Sequence, residues 1–477
     1  MDLRSLLLPA PAGTDVRTVL LAHPSVATVP EAPLPGGRPL ARVTLAAPGQ
    51  PPGARWWKRA FDLVYRADAS PYAGWRSSLD GQRYPAEHMA EWAHSGAALA
   101  RESPFRTVLE IGAGTGLLAR RLAPLGERYV CTDASAAARD ALRRTAAEDP
   151  SLPLEVSDCP TETIGELALE PDLVILHSVI QYFPDLGHLL HVVRQALDLL
   201  RPGGRLLIGD VRALEVAPAH FAMLHQHARE AGDEDATVAD IVGAALSAER
   251  ELLVDSAFFQ ALPRLLPTAA SVEVRHRRAR LWNEMAAFRF DVVVRKQGTA
   301  RARVTGHGAG LADTPAPVRP VRTLDQWHDT SGCVLLSGVP NSRLDRPTEL
   351  LRRRLAAESG AGAPSLPKGA SWHPDHLQER LDRSRPGTRV RWSGVPGAID
   401  VLACENPATH TRHARPASPP VPLLTNRWAT DDPALRAWFE DELARWAAAH
   451  GNAGLRVEVA DGPAATHGPD RPGSGDA

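Results

Sequence analysis

Between residues 106 and 211, five short apolar runs alternate with helical stretches: RTVLEIG, RYVCTD, LEVSD, DLVILHS and GRLLIGDV. Short strands separated by helices do not pair as hairpins. They pair in parallel, and the helices cover both faces of one sheet. In such sheets ligands bind in the crevice outside the carboxyl ends of the strands. The ends of the runs are therefore the informative places. The fourth run sits in DLVILHSVIQYFPD (172–185), where an apolar strand gives way at once to His177, Ser178, Gln181 and Tyr182.

The first run leads into VLEIGAGTG (108–116), which precedes a helix. Gly112, Gly114 and Gly116 let the backbone turn sharply and approach a ligand. The loop amides and the helix N-terminus are suited to an anionic group. Glu110 precedes the glycines, Asp133 ends the second strand and Asp158 ends the third. A carboxylate at Asp133 is placed to accept both hydroxyls of a ribose, and one at Asp158 to touch an adenine edge. Nicotinamide enzymes also carry a glycine loop and an acid on the ribose, so these features alone leave the chemistry open.

Around this core the chain divides into further units. Its 477 residues exceed one ordinary core, and 44% hydrophobic content supports globular folding. Residues 1–50 hold a helix-to-strand passage, DVRTVLLAHPSVATV, and a strand-like run, RPLARVTLAAPG; Pro and Gly at 49–53 mark a boundary. Two helical patterns over 54–105 surround GWRSSLDGQRYP. The core then spans 106–296, with a helical stretch at 215–263 and an antiparallel edge hairpin of SVEVRHR and FRFDVVVRK. Residues 297–320 read as a linker and 321–407 as an accessory α/β region. A last helix, DPALRAWFEDELARWAAAH, lies within 421–460, before a polar tail at 461–477 expected to be disordered.

A net charge of −2 gives no electrostatic footprint for nucleic acid or an anionic membrane. No apolar run is long enough to span a bilayer, and the N-terminal LLLPAPAG is too short for a signal core, so the expected location is cytoplasmic. Cys131, Cys159, Cys333 and Cys404 have no metal-ligand spacing and read as reduced. The histidines of HFAMLHQH (220–227) sit at helical spacing with no acid or cysteine set beside them, so no metal is expected.

VLEIGAGTGLLARRLAP, CTDAS, HSVIQYFPD and LRPGGRLLIGDVR resemble the successive motifs of class I S-adenosylmethionine-dependent methyltransferases. More narrowly, with GWRSSLDGQRYPAEHMAEW, ELLVDSAFF, NEMAAFRFDVVVRK and RVRWSGVPGAIDVLACENP, they resemble the N-methyltransferase domains embedded in nonribosomal peptide synthetases, over roughly 55–407. Residues 12–48 and LLTNRWATDDPALRAWFEDELARW resemble the start and end of an adenylation domain's C-terminal subdomain, the place where such methyltransferases are inserted. The resemblance implies a Rossmann-like α/β fold, with a mostly parallel seven-stranded sheet and an antiparallel edge hairpin. An accessory α/β region and flanking subdomain remnants complete it. It implies S-adenosyl-L-methionine as cofactor and an aminoacyl or peptidyl acceptor, held on a carrier protein. No adenylating lysine loop and no carrier-type serine are seen, since Lys58, Lys296 and Lys368 lack that context. The chain is thus expected neither to activate nor to carry an amino acid.

Methyl transfer from a sulfonium needs approach and orientation more than acid–base help. An α-amine, with a pKa of roughly 8, is partly neutral near pH 7–8; a hydroxyl acceptor needs a base more urgently. His177, where the family usually has Asn, reads as an acceptor or base, or equally as a ligand of cofactor or backbone. Tyr182 and Glu284 complete the catalytic candidates; Glu284 also fits an ion pair with Arg289 or an arginine of RHRRAR. Expected cofactor contacts are Glu110, Gly112, Gly114, Gly116, Asp133, Ser135, Asp158, Ser178 and Gln181. Expected substrate contacts are Trp75, Ser78, Asp210, Arg212 and Asn283, although Asp210 and Arg212 read somewhat better as locking the fifth strand to the following helix. Arg76, Leu79 and Asp80 replace the Asn, Tyr and Thr common in the family's upstream cap, which points to a changed substrate. Two rival functions remain: an O-methyl or other tailoring transferase acting on a free small molecule, motivated by His177 and the altered cap, and a non-catalytic docking module.

Overall fold

The computed structural model describes residues 26–28, 40–45, 54–228, 237–298, 318–320, 334–359, 371–384, 388–393, 397–403, 432–449 and 455–459. The chain opens with strands β1 (Val26–Thr28) and β2 (Leu40–Leu45) and helices α1 (Ala54–Ala67) and α2 (Ala86–Ala100). The core follows: β3 (Thr107–Ile111), β4 (Arg128–Thr132), α3 (Ala136–Glu148), β5 (Leu154–Ser157), β6 (Leu173–His177), α4 (Leu186–Leu199) and β7 (Arg205–Arg212). The stretch read as helical at 215–263 resolves into α5 (Ala217–Ala228), α6 (Val238–Ala248) and α7 (Ser256–Leu265). Two long strands, β8 (Ala269–His276) and β9 (Arg289–Lys296), close the core.

These strands form one seven-stranded sheet in the order β5-β4-β3-β6-β7-β9-β8. The first five are parallel; β9 runs antiparallel between β7 and β8. The chain starts in mid-sheet at β3, builds outward through β4 and β5, then crosses back to β6. The carboxyl ends of β3 and β6 are thus the switch point at which a crevice opens.

The pleat sends alternate residues to opposite faces. On β6, Val174 and Leu176 belong to the cluster packed by α4 and α7. Leu173 and Ile175 belong to the opposite one, with Val108, Tyr129, Cys131 and Ala97 of α2. This parity decides where His177 goes.

The accessory region contains β10 (Val318–Pro320), β11 (Val334–Pro340), α8 (Asp345–Ser359), α9 (Pro374–Ser384), β12 (Arg389–Trp392) and β13 (Ala398–Ala403). Its sheet runs β10-β11-β13-β12. Since β10 pairs with β11 over 318–320, the region begins inside the stretch read as linker. It is bolted to the core: Trp392 Nε1 donates to Glu215 at 2.7 Å, and its ring lies 5.3 Å from Phe290. Buried Arg343 donates to the backbone oxygens of Arg277 (2.7 Å) and Ala279 (2.5 Å).

The chain closes with α10 (Pro433–Ala449) and β14 (Arg456–Val459). β14 pairs in parallel with β2, which pairs with β1, so the two flanks share one three-stranded sheet although some four hundred residues separate them. α10 packs Trp438 against Phe258 of α7 at 6.1 Å, and Asp432 before it pairs with Arg194 of α4 at 2.8 Å. The helix expected before β1 and the polar tail lie outside the described residues.

Candidate active site

A cavity of about 250 Å³ opens along the carboxyl edge of the large sheet. At one end it is lined by Gly112, Asp133, Ala134, Thr161 and Glu162, in the middle by Ser178, Val179, Gln181 and Tyr182, and at the other end by Trp75, Tyr84, Glu251 and Arg289. α1 roofs it with Trp57, Phe61 and Tyr65. These lie at i, i+4 and i+8, one stripe of a helix. Tyr182 meets the stripe, with its ring 4.7 Å from Trp57 and 4.9 Å from Phe61.

The glycine loop is built as its sequence requires. Gly112, Gly114 and Gly116 all have positive φ (+72°, +54°, +81°). A Cβ on Gly112 would stand 2.5 Å from Val179 Cγ2, and one on Gly116 2.8 Å from Leu142 Cδ2. Asp133 fixes the loop: its Oδ2 accepts from Gly114 N–H and its Oδ1 from Ser135 N–H, both at 2.8 Å. Burial nevertheless pushes its carboxyl above the ordinary range. Ser178 lies in the left-handed region, φ +59°, at the end of β6. Its Oγ accepts from Gln181 Nε2 at 2.9 Å, which leaves Gln181 Oε1 buried without a hydrogen-bond partner among the described residues.

Other expected contacts lie elsewhere. Glu110 shares the face of Val108 by strand parity, so it points beneath the sheet and accepts from Tyr129 Oη at 2.8 Å. Burial raises its carboxyl to about 8. Ser135 is the N-cap of α3; its hydroxyl accepts from Ala138 N–H and donates to Asp62 of α1 at 2.7 Å. Asp158 is drawn outward by Arg139 (2.6 Å) and Arg143 (2.8 Å), one turn apart on α3. None of the three lines the cavity, and of the loop glycines only Gly112 does; Gly114 and Gly116 shape the turn behind it.

The catalytic candidates divide. Tyr182 lines the cavity. His177 does not: parity with Leu173 and Ile175 sends its ring under α2, 4.5 Å from Trp92 and edge to face. Gly96 and Gly209 make room for it, since a Cβ on either would stand 2.8 Å and 2.7 Å from Nε2. Neither ring nitrogen has a partner among the described residues, and burial with nearby Arg277 lowers its pKa to about 3. A neutral imidazole sealed in the core is not the base at this cavity. Glu284 stands one residue behind the cavity: its carboxylate accepts from Ser77 Oγ (3.3 Å), Ser78 N–H (3.0 Å) and Tyr84 Oη (2.5 Å). It ties the 75–84 cap to the core in place of the expected arginine pair.

Of the substrate candidates, Trp75 lines the cavity and packs 4.6 Å from Trp92. Ser78 is exposed and Asn283 is a helix N-cap bonded to Ala286 N–H at 2.9 Å. Arg212 is spent on Glu249 (2.8 Å) and Glu251 (2.7 Å). Asp210, fully buried with φ +61°, binds Arg277 and, at 2.6 Å, Arg289. Burial would raise its carboxyl, but Arg289 and Arg277 hold it well below the usual range. Sequence reasoning missed Trp57, Phe61, Tyr65, Tyr84, Glu251 and Arg289. The aromatic stripe of α1 was the readable signal for the first three.

Residues 109–206 match the family model of a methyltransferase domain. The chain is 34% identical over 433 residues to a probable non-canonical nonribosomal peptide synthetase, CymA, of Salinispora arenicola, across 85% of this chain and 5% of that protein. It is 33% identical over 371 residues to chondramide synthase cmdD of Chondromyces crocatus, across 73% of this chain and 9% of that one. The beauvericin nonribosomal cyclodepsipeptide synthetase of Beauveria bassiana is 32% identical over 56% of this chain and 8% of its own length. The chain therefore corresponds to under a tenth of each of these relatives. Among the described residues, no helix is long and apolar enough to cross a membrane.

The cofactor of this domain family is S-adenosylmethionine, and the cavity fits it. Gly112 lines the cavity with no room for a Cβ beside Val179, Asp133 supplies a carboxylate between β4 and α3, and Gln181 offers an acceptor without a partner among the described residues. Asp133, Gly112, Ser178 and Gln181 are the residues that would hold it.

Proposed function

The chain holds an S-adenosylmethionine-dependent methyltransferase domain of the kind built into nonribosomal peptide synthetases, and from that premise we propose that it N-methylates an aminoacyl or peptidyl group presented as a carrier-protein thioester. The observation that carries this reading is the acceptor end of the cavity, which offers Glu251, Tyr84, Trp75 and Arg289, while His188 of the lining lies edge-on to Phe183 at 4.8 Å and burial lowers its pKa. An amine nucleophile needs only that: partly neutral at pH 7–8, it must be positioned and must find an acceptor for its N–H. The bound donor supplies an activated methyl on a sulfonium. The chain's own residues do the rest. Trp57, Phe61, Tyr65 and Tyr182 exclude water, Gln181 Oε1 and the Glu251 carboxylate accept hydrogen bonds, and Glu251 takes the proton shed after transfer. With His177 sealed under α2, one of the two features that favoured a hydroxyl acceptor is absent from the cavity; the altered cap, with Arg76, still lines it.

The flanks support the same setting. We read the β1-β2-β14 sheet with α10 as remnants of an adenylation C-terminal subdomain, into which the methyltransferase is inserted. Insertion is tolerated where chain ends meet, and β2 and β14 are adjacent strands. The test incubates the protein with labelled S-adenosylmethionine and aminoacyl thioesters and locates the methyl by mass fragmentation. Label on the α-nitrogen supports the proposal; label on oxygen, or no product from any thioester, refutes it.

A further inference from the structure

The cavity's two ends are separated by the sheet itself. Adjacent strands lie about 4.8 Å apart. From β3, which carries the glycine loop, the order continues β6, β7, β9, so β9 is three steps, about 14 Å, away. Asp133 on β4 is one step further still. A donor held by Asp133 and Gly112 would present its methyl from the β3–β6 part of the sheet edge. A group at the start of β9 lies beyond it, where an acceptor must approach for in-line displacement. Arg289 is that group: it opens β9 opposite Arg212 and lines the cavity.

Arg289 is also held in a fixed orientation. Its Nη1 donates to Asp210 Oδ2 at 2.6 Å, and among the described residues it makes no other hydrogen bond. Asp210 is in turn bound by Arg277 from β8's end, and its N–H donates to Asp291 Oδ1 at 2.8 Å. A guanidinium carries five donors in a rigid fork, so most of this one remains for a ligand. Beside it in the lining stands Glu251, anchored by Arg212. A cation and a carboxylate at one end of a cavity suit a molecule with a carbonyl oxygen and an amine nitrogen three bonds apart, the arrangement of an α-aminoacyl group.

We propose that Arg289 binds the carbonyl oxygen of the acceptor and selects α-aminoacyl groups, with Asp210 as the positioning residue that aims its guanidinium. This rests on the N-methylation reading above. The experiment uses the full chain, the N-acetylcysteamine thioesters of alanine, valine, phenylalanine and tyrosine, and the variants Arg289→Gln and Arg289→Lys. Lysine keeps a charge for Asp210 and serves as the fold control. Charge-assisted hydrogen bonds predict that the thioester KM rises about tenfold or more in both variants, with a smaller change in kcat. The affinity for S-adenosylhomocysteine stays within twofold. A merely structural role would move cofactor affinity and melting temperature together with KM. A KM unchanged in both variants overturns the inference, as does a parallel loss of S-adenosylhomocysteine binding, which would put Arg289 on the donor's carboxylate. If wild type yields no N-methyl product from any thioester, the underlying reading fails, and that outcome is recognisable before any variant is made.

Discussion

Gly209→Ala tests where His177 lies. A Cβ at Gly209 would stand 2.7 Å from Nε2 of His177 and 3.1 Å from its Cγ. The ring cannot retreat, because Gly96 of α2 and Trp92 close the other side. Forcing a methyl into such a core costs about 1–3 kcal/mol. His177→Ala alone opens a cavity, which costs about 2–4 kcal/mol, partly offset by removing two buried nitrogens without partners. In the double variant the new methyl enters space the ring has vacated. The two changes should therefore couple favourably by about 1–2 kcal/mol. Urea unfolding of the four proteins of the cycle, read as midpoints at a common slope, measures this. Additive effects would refute the packing. So would a kcat loss above about a hundredfold in His177→Ala with unchanged cofactor affinity, the signature of a general base.

Glu110→Gln should flatten the pH dependence of stability. The folded carboxyl titrates near 8, above its ordinary value of 4.5. Between these values the unfolded chain ionises while the folded one keeps its proton, so wild type loses stability as pH rises, by at most about 1.4 kcal/mol per unit. Melting curves from pH 5 to 8 should show a shallower fall in the variant, and parallel curves would contradict the burial of Glu110. Asp62→Ala removes the acceptor that joins α1 to Ser135 Oγ (2.7 Å) and Ala137 N–H (3.2 Å). Losing these bonds should loosen the roof and weaken S-adenosylhomocysteine binding about tenfold by calorimetry, and an unchanged affinity would show that they do not hold it closed.

The parallel core and its glycine loop were legible because period and turn chemistry are local. The run DLVILHS fixes a buried strand, and three glycines with positive φ fix the turn after VLEI. The failures share one cause: an end-of-strand position does not say which face a side chain takes, or what waits there. His177 follows Leu173 and Ile175 by parity, yet only the placement of α2 shows that this face is covered. Asp158 ends its strand as expected, but Arg139 and Arg143 on α3 reach it first. Ser135 was drawn to its own helix, since a serine before AAARDAL is worth more as a cap than as a ligand. Arg289 was weighed only as a partner for Glu284; the bond to Asp210 joins residues 79 apart, and nothing in either neighbourhood announces it. The shared sheet of the two flanks was likewise beyond local pattern, because β2 and β14 meet only after the whole core has folded between them.

The most direct test of the cavity as the donor site is calorimetric titration with S-adenosylhomocysteine on wild type and Asp133→Ala. Saturable binding by wild type, weakened a hundredfold or more in Asp133→Ala as expected for losing a buried charged acceptor of about 3 kcal/mol, is the predicted result. Absence of binding by wild type, or equal affinity in the two proteins, would contradict the account.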